Sequence, residues 1–552
     1  MQLVGLLFGG GVAVAGLLFC YLFAKAALFI AILSAAALVL FGSCLTPAAR
    51  QEMGHAPVLA AVGLPVAAWL LPNVWLLYGV AALVVPLLAR RGGQVPALYL
   101  FALLLLPGLD QFVAVGSLRL FGFGVHDALA CGAAAILVGR PRWRAAVPTV
   151  LDLPFWAMFG LLVAATSRDT SPTNAFRVFV DMGLDCALPY WIVSRGVRDR
   201  ADLRLCMLHL AAAAAVLSLV LAYEAVKSWP LYNVLFDRYA LPERPVVKSR
   251  GGMLRAGGPF NESTSVAMVM VFCFLAASAS RSAFRSTRHH LLLLLALLLG
   301  LVMPQSRGAW VGLLTGVAMM DLYRGRIGRL ALRFGAVGLV GLGLLAVAQV
   351  NSRVSEAVGL SGGSVETVDY REQLFDRGME ELRDSPIIGF PYPELLRRLD
   401  DMRQGEGIVD FVNAHLFVVL VSGIVGLVVF NGAFLVQMGR VWRARRGSLG
   451  PEDLDLGSAA FVFAALATPV QMLFFTSMGG RVQVMVFVFF ALATAVARER
   501  RPAGAREDQT PSAAPSFAFA SHPSAIPVAP APSSSSSSSG LSNPIRWSAN
   551  QP

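Results

Sequence analysis

The chain carries one apolar run after another, and many of these runs are long enough to cross a lipid bilayer. A hydrocarbon core about 30 Å thick needs roughly 20 predominantly apolar residues of α-helix. Hydrophobic residues make up 56% of the 552 residues, charged residues only 14%, and the mean hydropathy is +0.66. A soluble domain does not have this composition. The sequence therefore predicts an all-α, polytopic helical integral membrane protein.

Sixteen apolar segments are candidate membrane spans, and we expect roughly 12 to 16 of them to cross the bilayer. They lie near residues 3–23, 26–42, 56–71, 74–88, 98–116, 126–138, 152–166, 177–194, 203–223, 264–280, 291–304, 309–322, 329–349, 413–438, 458–475 and 481–497. The predicted organisation has five parts: N-terminal transmembrane helices (1–250), transmembrane helices with the Arg255 and Arg307 segments (251–349), an external helical loop (350–412), C-terminal transmembrane helices (413–497) and a Pro-, Ala- and Ser-rich cytoplasmic tail (498–552), which we expect to be disordered.

Arginines gather in alternate connections between the apolar segments, and this alternation predicts the orientation of the chain. The clusters lie at 90–91, 140–144, 195–204, 281–288, 324–329, 440–446 and 498–501. Because cytoplasmic loops are enriched in Lys and Arg, these connections and both termini are predicted to be cytoplasmic. The net charge of +12 is thereby explained without a nucleic-acid partner. The connections that alternate with the arginine-rich ones are then external, and they lie near 224–263, around Arg307 and at 350–412.

The external stretch 350–412 predicts two short helices. Asp369 is a candidate N-cap for a helix over 370–384, and Pro393 suits the first turn of a second helix. Both helices would present apolar residues on one side. The pattern fits a folded cap over a cavity and a solvated loop with helical fragments equally well.

Arg307 lies in the segment Pro304–Trp310, between two apolar runs. A charged residue inside a membrane costs from about 3 kcal/mol upward, so such an arginine suggests a function. The alternative is an anchor whose charge reaches the headgroups.

Three more basic or titratable groups are predicted on the same side as Arg307. Arg255, with Lys248 and Arg250 before it, precedes the glycines 257 and 258, and Arg371 lies in the external loop. His415 begins the next apolar run, where its pKa near 6.5 would suit proton transfer. Each has a simpler interpretation, a solvated turn or an interfacial hydrogen bond, but together they indicate a site.

We find no cysteine or acidic motif that predicts a metal site or a cofactor. The six cysteines form no Cys-x-x-Cys pair, and the external segments have no Asp-x-Asp pattern. Asp110, Asp181 and Asp185 lie in or near apolar segments, where we interpret them as helix–helix hydrogen-bonding residues, with contact to a substrate as the alternative.

Four stretches together resemble the O-antigen ligase and polymerase superfamily: 306–310, 255–261, 371–389 and 415–427. The resemblance covers about residues 250 to 430. It implies a GT-C-like membrane glycosyltransferase that needs no metal or cofactor. This enzyme would use an undecaprenyl-diphosphate-linked glycan at the periplasmic face of the bacterial inner membrane.

The resemblance also implies roles for the site residues. Arg307 and Arg371 would bind the diphosphate, with Arg255 contributing to the same charge, because guanidinium groups bind phosphate oxygens bidentately. His415 would activate the acceptor hydroxyl, and Arg307 would also act catalytically on the leaving group.

The acceptor is left open. A polymerase of O-antigen, capsule or exopolysaccharide joins the glycan to a second lipid-linked repeat unit, whereas a ligase passes it to lipid A core or to protein. We favour the polymerase, with a flippase and a chain-length regulator of the same pathway as expected partners. A transporter for lipid-linked oligosaccharides is the alternative from another class, although such proteins are commonly built from repeats, and the two halves of this chain show none.

Overall fold

The structure is a computed structural model that describes residues 2–116, 118–139, 149–241, 247–250, 252–260, 262–351, 355, 363–404, 409–445 and 454–499. Asn261, the arginines of 140–144 and the predicted tail from residue 500 onward lie outside these residues. The described residues confirm the predicted fold class, since they form an all-α polytopic membrane protein with two small hairpins.

The described residues of the N-terminal half form eleven helices and one antiparallel hairpin. They are α1 (Gln2–Cys44), α2 (Pro47–Met53), α3 (Ala56–Leu70), α4 (Val74–Leu88), α5 (Gln94–Leu105), β1 (Asp110–Val115), β2 (Leu118–Gly124), α6 (Val125–Val138), α7 (Leu153–Ser167), α8 (Pro172–Met182), α9 (Leu188–Gly196), α10 (Arg200–Lys227) and α11 (Asn233–Arg238). A π-helical turn, Gly183–Ala187, joins α8 to α9, and a 3-10 turn, Val150–Asp152, precedes α7.

The C-terminal half begins with a second hairpin. It contains β3 (Ser249–Arg250), β4 (Met253–Leu254), α12 (Ser263–Ala279), α13 (Thr287–Val302), α14 (Arg307–Tyr323), α15 (Ile327–Val350), α16 (Gly363–Leu382), α17 (Tyr392–Arg398), α18 (Ala414–Ala444), α19 (Leu454–Met472) and α20 (Gly480–Glu499).

Among the described residues, six helices are long and apolar enough to cross a membrane, or seven if the bent pair α2–α3 counts as one span. Six further apolar helices have only 10–17 residues. Full-length spans are therefore fewer than the sequence predicts, because several apolar runs are shorter than the roughly 20 residues that a bilayer requires.

Three predicted spans differ in detail from the structure. Segments 3–23 and 26–42 form the single helix α1, and Lys25 does not interrupt it because its Nζ lies 5.3 Å from the centre of the Trp229 ring. Segment 98–116 is helical only as far as Leu105, because Pro107 and Gly108 follow. Beyond them, β1 pairs with β2 as an antiparallel hairpin.

The stretch 350–412, which was predicted to be external, contains both predicted helices, with a shift in the first. Helix α16 begins at Gly363, so Asp369 lies inside it and is not its N-cap. Helix α17 has a proline in its first turn as predicted. Leu374 and Leu395 are buried together with Leu416 and Leu420 of α18, so these helices form a folded cap over the start of α18.

Helix α18 is broken at Gly423, and the segment after α16 repairs the break. Gly423 has φ 65°, and the amide of Ile424 donates to the carbonyl of Pro386 (2.9 Å) instead of to a carbonyl of its own helix. The carbonyl of Leu420 accepts from the amide of Phe390 (2.8 Å). The cap is therefore bound to α18 by main-chain hydrogen bonds, which satisfy groups that the break leaves without intrahelical partners.

Gly389 allows the cap to approach α18 closely, and replacing Gly389 tests the main-chain contact between them. It has φ 59°, and an added Cβ would lie 2.4 Å from the carbonyl oxygen of Leu420. We expect Gly389→Ala to lower the free energy of unfolding by about 2–4 kcal/mol through backbone strain and overpacking. The matched control is Gly432→Ala, because a Cβ there meets nothing within 4 Å. Equal stability of the two variants in detergent unfolding would show that this main-chain contact does not stabilise the fold.

Candidate functional site

Five basic side chains from three segments of the chain line one cavity of about 590 Å³, which we call the cation cavity. They are Lys248, Arg250 and Arg255 from the β3–β4 hairpin, Arg307 from α14 and Arg371 from α16. The acidic side chains in its lining are Glu262 and Asp410. The structure thus brings together the three arginines singled out in the sequence and adds two cations that the sequence placed beside Arg255.

The hairpin arginines hold the turn that precedes Arg307. Arg255 Nε donates to the carbonyl of Pro304 (3.2 Å), and Arg250 Nη1 donates to the carbonyl of Gln305 (3.1 Å). Gln305 has φ 53°, a left-handed conformation that costs free energy for a residue with a side chain. These contacts connect the two basic segments and help to hold this strained turn in place.

Arg307 is the first residue of α14, and the N-terminal end of this helix lines the cation cavity. The first amides of a helix lack intrahelical acceptors, and the helix dipole adds partial positive charge at this end. Gly312 and Gly316 allow α14 to lie close to α19. A Cβ at Gly312 would be 2.4 Å from the sulfur of Met472, and one at Gly316 would be 2.9 Å from Oγ1 of Thr468. The cavity therefore receives positive charge from the helix end as well as from side chains.

Arg371 and Arg255 are partly buried in the cation cavity, next to Asp410 and Glu262 respectively. The Arg371 Nε is buried with no hydrogen-bond partner among the described residues. Burial lowers the pKa of the Arg371 guanidinium, and burial together with Arg250, Arg307 and Arg371 lowers the pKa of Arg255 to about 10. A pKa of about 10 leaves Arg255 charged near neutral pH. A bound anion would reverse these shifts, so the site favours an anionic ligand.

Glu224 of α10 fixes the glycine loop between Arg255 and α12. Its side chain is 1% exposed, and its two oxygens accept from the amides of Leu231 and Gly258, each at 2.9 Å. Gly258 has φ 53°, which glycine adopts at little cost. The loop next to the cation cavity is therefore attached to a buried helix.

His415 is buried, and it does not line the cation cavity in the described part of the chain. Its ring stacks on Phe474 with centroids 4.1 Å apart, and its Nε2 lies 2.8 Å from the carbonyl oxygen of Val470. A carbonyl can only accept, so Nε2 donates, and the neutral ring then has its lone pair on Nδ1. The structure thus brings Arg255, Arg307 and Arg371 together and leaves His415 apart from them.

A second cavity of about 400 Å³, which we call the acidic cavity, is lined by side chains that the sequence analysis did not assign to a site. Asp110, Asp127, Asp181 and Asp185 line it. Asp181 accepts from the amide of Gly122 (3.0 Å), whereas Asp185 makes no hydrogen bond within the described residues. The interpretation as helix–helix hydrogen bonds is therefore wrong for Asp185. The only sequence feature that pointed to this cavity was the presence of carboxylates within apolar segments.

Comparison with protein families agrees with the sequence resemblance. A family model described as O-antigen ligase matches residues 291–434, which include Arg307, Arg371 and His415, whereas Arg255 precedes the match. No curated protein matches the chain. The match over residues 291–434 thus supports the resemblance to the O-antigen ligase and polymerase superfamily.

Proposed function

We propose that the protein is a glycosyltransferase that takes a glycan from an undecaprenyl diphosphate carrier at the periplasmic face of the bacterial inner membrane. The observation that carries the proposal is the convergence of Lys248, Arg250, Arg255, Arg307 and Arg371 on one cavity. A diphosphate matches this charge, and guanidinium forks bind its oxygens bidentately.

The proposed reaction needs positive charge where the leaving group departs. The acceptor hydroxyl oxygen bonds to the anomeric carbon of the donor sugar, and the bond from that carbon to the diphosphate oxygen breaks. The hydroxyl proton passes to a base. Arg307 and Arg371 stabilise the charge that develops on the diphosphate, and Arg255 adds to it. Because these arginines supply the positive charge, we expect transfer to continue in the presence of EDTA.

His415 remains our proposal for the base. The hydrogen bond to Val470 supports an Nδ1 lone pair able to accept a proton. Since His415 does not line the cation cavity, the acceptor hydroxyl would have to reach it from the side of Phe474 and Phe475. Loss of transfer in His415→Gln, with unchanged binding of pyrophosphate, would support this role.

We favour polymerisation of O-antigen, capsule or exopolysaccharide repeat units. The second candidate, transfer to lipid A core or to protein, is supported by the description of the matching family as O-antigen ligase. Both reactions use the same donor and differ in the acceptor. In either case we propose that a flippase supplies the donor, and for the polymerase that a chain-length regulator acts with it.

The test is the glycan profile of a deletion strain that carries wild type, Arg307→Ala or the control Arg383→Ala. Arg383 is exposed and lies outside the cation cavity, so its removal should have no effect. Single repeat units without long chains in Arg307→Ala would support the polymerase. Long chains retained on the carrier would support the ligase. Full complementation by Arg307→Ala would contradict the proposed site and favour a transporter.

A further inference from the structure

We infer that the acidic cavity binds the acceptor glycan. The inference rests on the proposed function and extends it, because it assigns the second substrate to a separate subsite. The cavity combines four aspartates with the aromatic rings of Phe112, Phe123, Phe236 and Phe260. Both kinds of side chain suit a polyhydroxylated sugar.

The aspartates select the chemical class of the ligand. Carboxyl oxygens accept hydrogen bonds from hydroxyl groups whether or not they are ionised, and those that are ionised repel a diphosphate. Within the described residues, no group of three His, Cys, Asp or Glu side chains is arranged to hold a metal ion. Aromatic faces attract the C–H bonds on one side of a sugar ring. The chemistry therefore favours a glycan with many hydroxyl groups and little negative charge.

Arg481 is an independent sign of a ligand in this cavity. Its side chain is 8% exposed and lies over the Phe260 ring, with the guanidinium carbon 4.1 Å from the ring centre. Its Nη2 donates to the carbonyl of Pro259, whereas its Nη1 has no hydrogen-bond partner among the described residues. A buried guanidinium nitrogen without an acceptor costs free energy. A sugar oxygen in the cavity would provide the acceptor.

Glu262 connects the two cavities. Its side chain lines both the cation cavity and the acidic cavity, and Oε2 accepts from the hydroxyl of Ser265 (2.7 Å). A glycan in the acidic cavity would therefore end beside the place where the donor diphosphate is proposed to bind. This arrangement would bring the acceptor hydroxyl to the anomeric carbon without placing the two anionic carriers together.

The test measures binding of the two substrates separately, by calorimetry with the purified protein in nanodiscs. The acceptor probes are the repeat-unit oligosaccharide and the core oligosaccharide of the host, each released from its lipid by mild acid, and the donor probe is inorganic pyrophosphate. We expect Asp185→Asn to weaken binding of one oligosaccharide at least tenfold and to leave pyrophosphate binding unchanged. Gln111→Ala, at the same cavity, should have a smaller effect of the same kind.

Two controls separate this inference from the proposed function. Asp376→Asn removes an exposed carboxylate outside both cavities and should bind all probes as wild type does. Arg307→Ala should lose pyrophosphate binding and keep the oligosaccharide. If wild type binds no oligosaccharide, or if Asp185→Asn and Gln111→Ala bind it as wild type does, the acceptor subsite is wrong while the donor site stands. If wild type does not bind pyrophosphate, the proposed function itself fails.

Discussion

Arg307→Ala is expected to lower the rate of glycan transfer by about a hundredfold or more, the effect of removing one preorganised donor from a developing anion. The guanidinium lies at the positive end of α14 and shares the cation cavity with four other basic side chains. Arg307→Lys should recover part of the rate, because it restores the charge without the planar fork. The measurement is the initial rate with purified protein in proteoliposomes.

The control for this prediction is Arg383→Ala, which removes an exposed arginine outside the cation cavity. Its rate should equal that of wild type. A wild-type rate in Arg307→Ala, at equal protein content, would show that Arg307 is an interfacial anchor and takes no part in the reaction.

Asp152→Ala is expected to lower the free energy of unfolding by about 3–5 kcal/mol, because it leaves a buried guanidinium without its partner. Arg195 donates to both oxygens of Asp152, at 3.1 Å and 2.8 Å, and Asp152 is 1% exposed. Asp152 also accepts from the hydroxyl of Tyr190 (2.5 Å) and from the amide of Thr149 (2.6 Å). Reversible unfolding in denaturing detergent would measure the loss.

A double variant distinguishes a missing partner from a missing side chain. Asp152→Leu with Arg195→Met removes both charges, and it should restore much of the stability that the single change loses. Asp376→Ala, at an exposed position, should leave stability unchanged. The prediction is wrong if Asp152→Ala unfolds at the same detergent concentration as Asp376→Ala.

The convergence of the three arginines could be predicted because membrane topology constrains it. Once the arginine-rich connections are assigned to one side, the segments that carry Arg255, Arg307 and Arg371 must lie on the other. The position of His415 could not be predicted in the same way. The sequence places it at a helix end, but the rotation of α18 determines which neighbours it contacts, and this rotation depends on packing against Phe474 and Val470.

The break in α18 and the acidic cavity could not be predicted, because both depend on contacts between residues that are distant in the sequence. The break at Gly423 is compensated by Pro386 and Phe390, which lie in a segment outside the helix, so the apolar run alone gives no sign of it. The acidic cavity was missed because Asp185 lies in the π-helical turn and shares the cavity with Asp110 of a hairpin that was predicted to be part of a membrane span. Apolarity predicted the bilayer location, and it could not distinguish a hairpin from the end of a helix.

The most direct test of the account is transfer in proteoliposomes that contain only the purified protein and a lipid-diphosphate-linked glycan with a labelled sugar. Wild type should lengthen or transfer the glycan and release undecaprenyl diphosphate in equal amount, with EDTA present, and Arg307→Ala should do neither. Movement of the labelled lipid across the membrane without release of undecaprenyl diphosphate would contradict the account and identify a transporter.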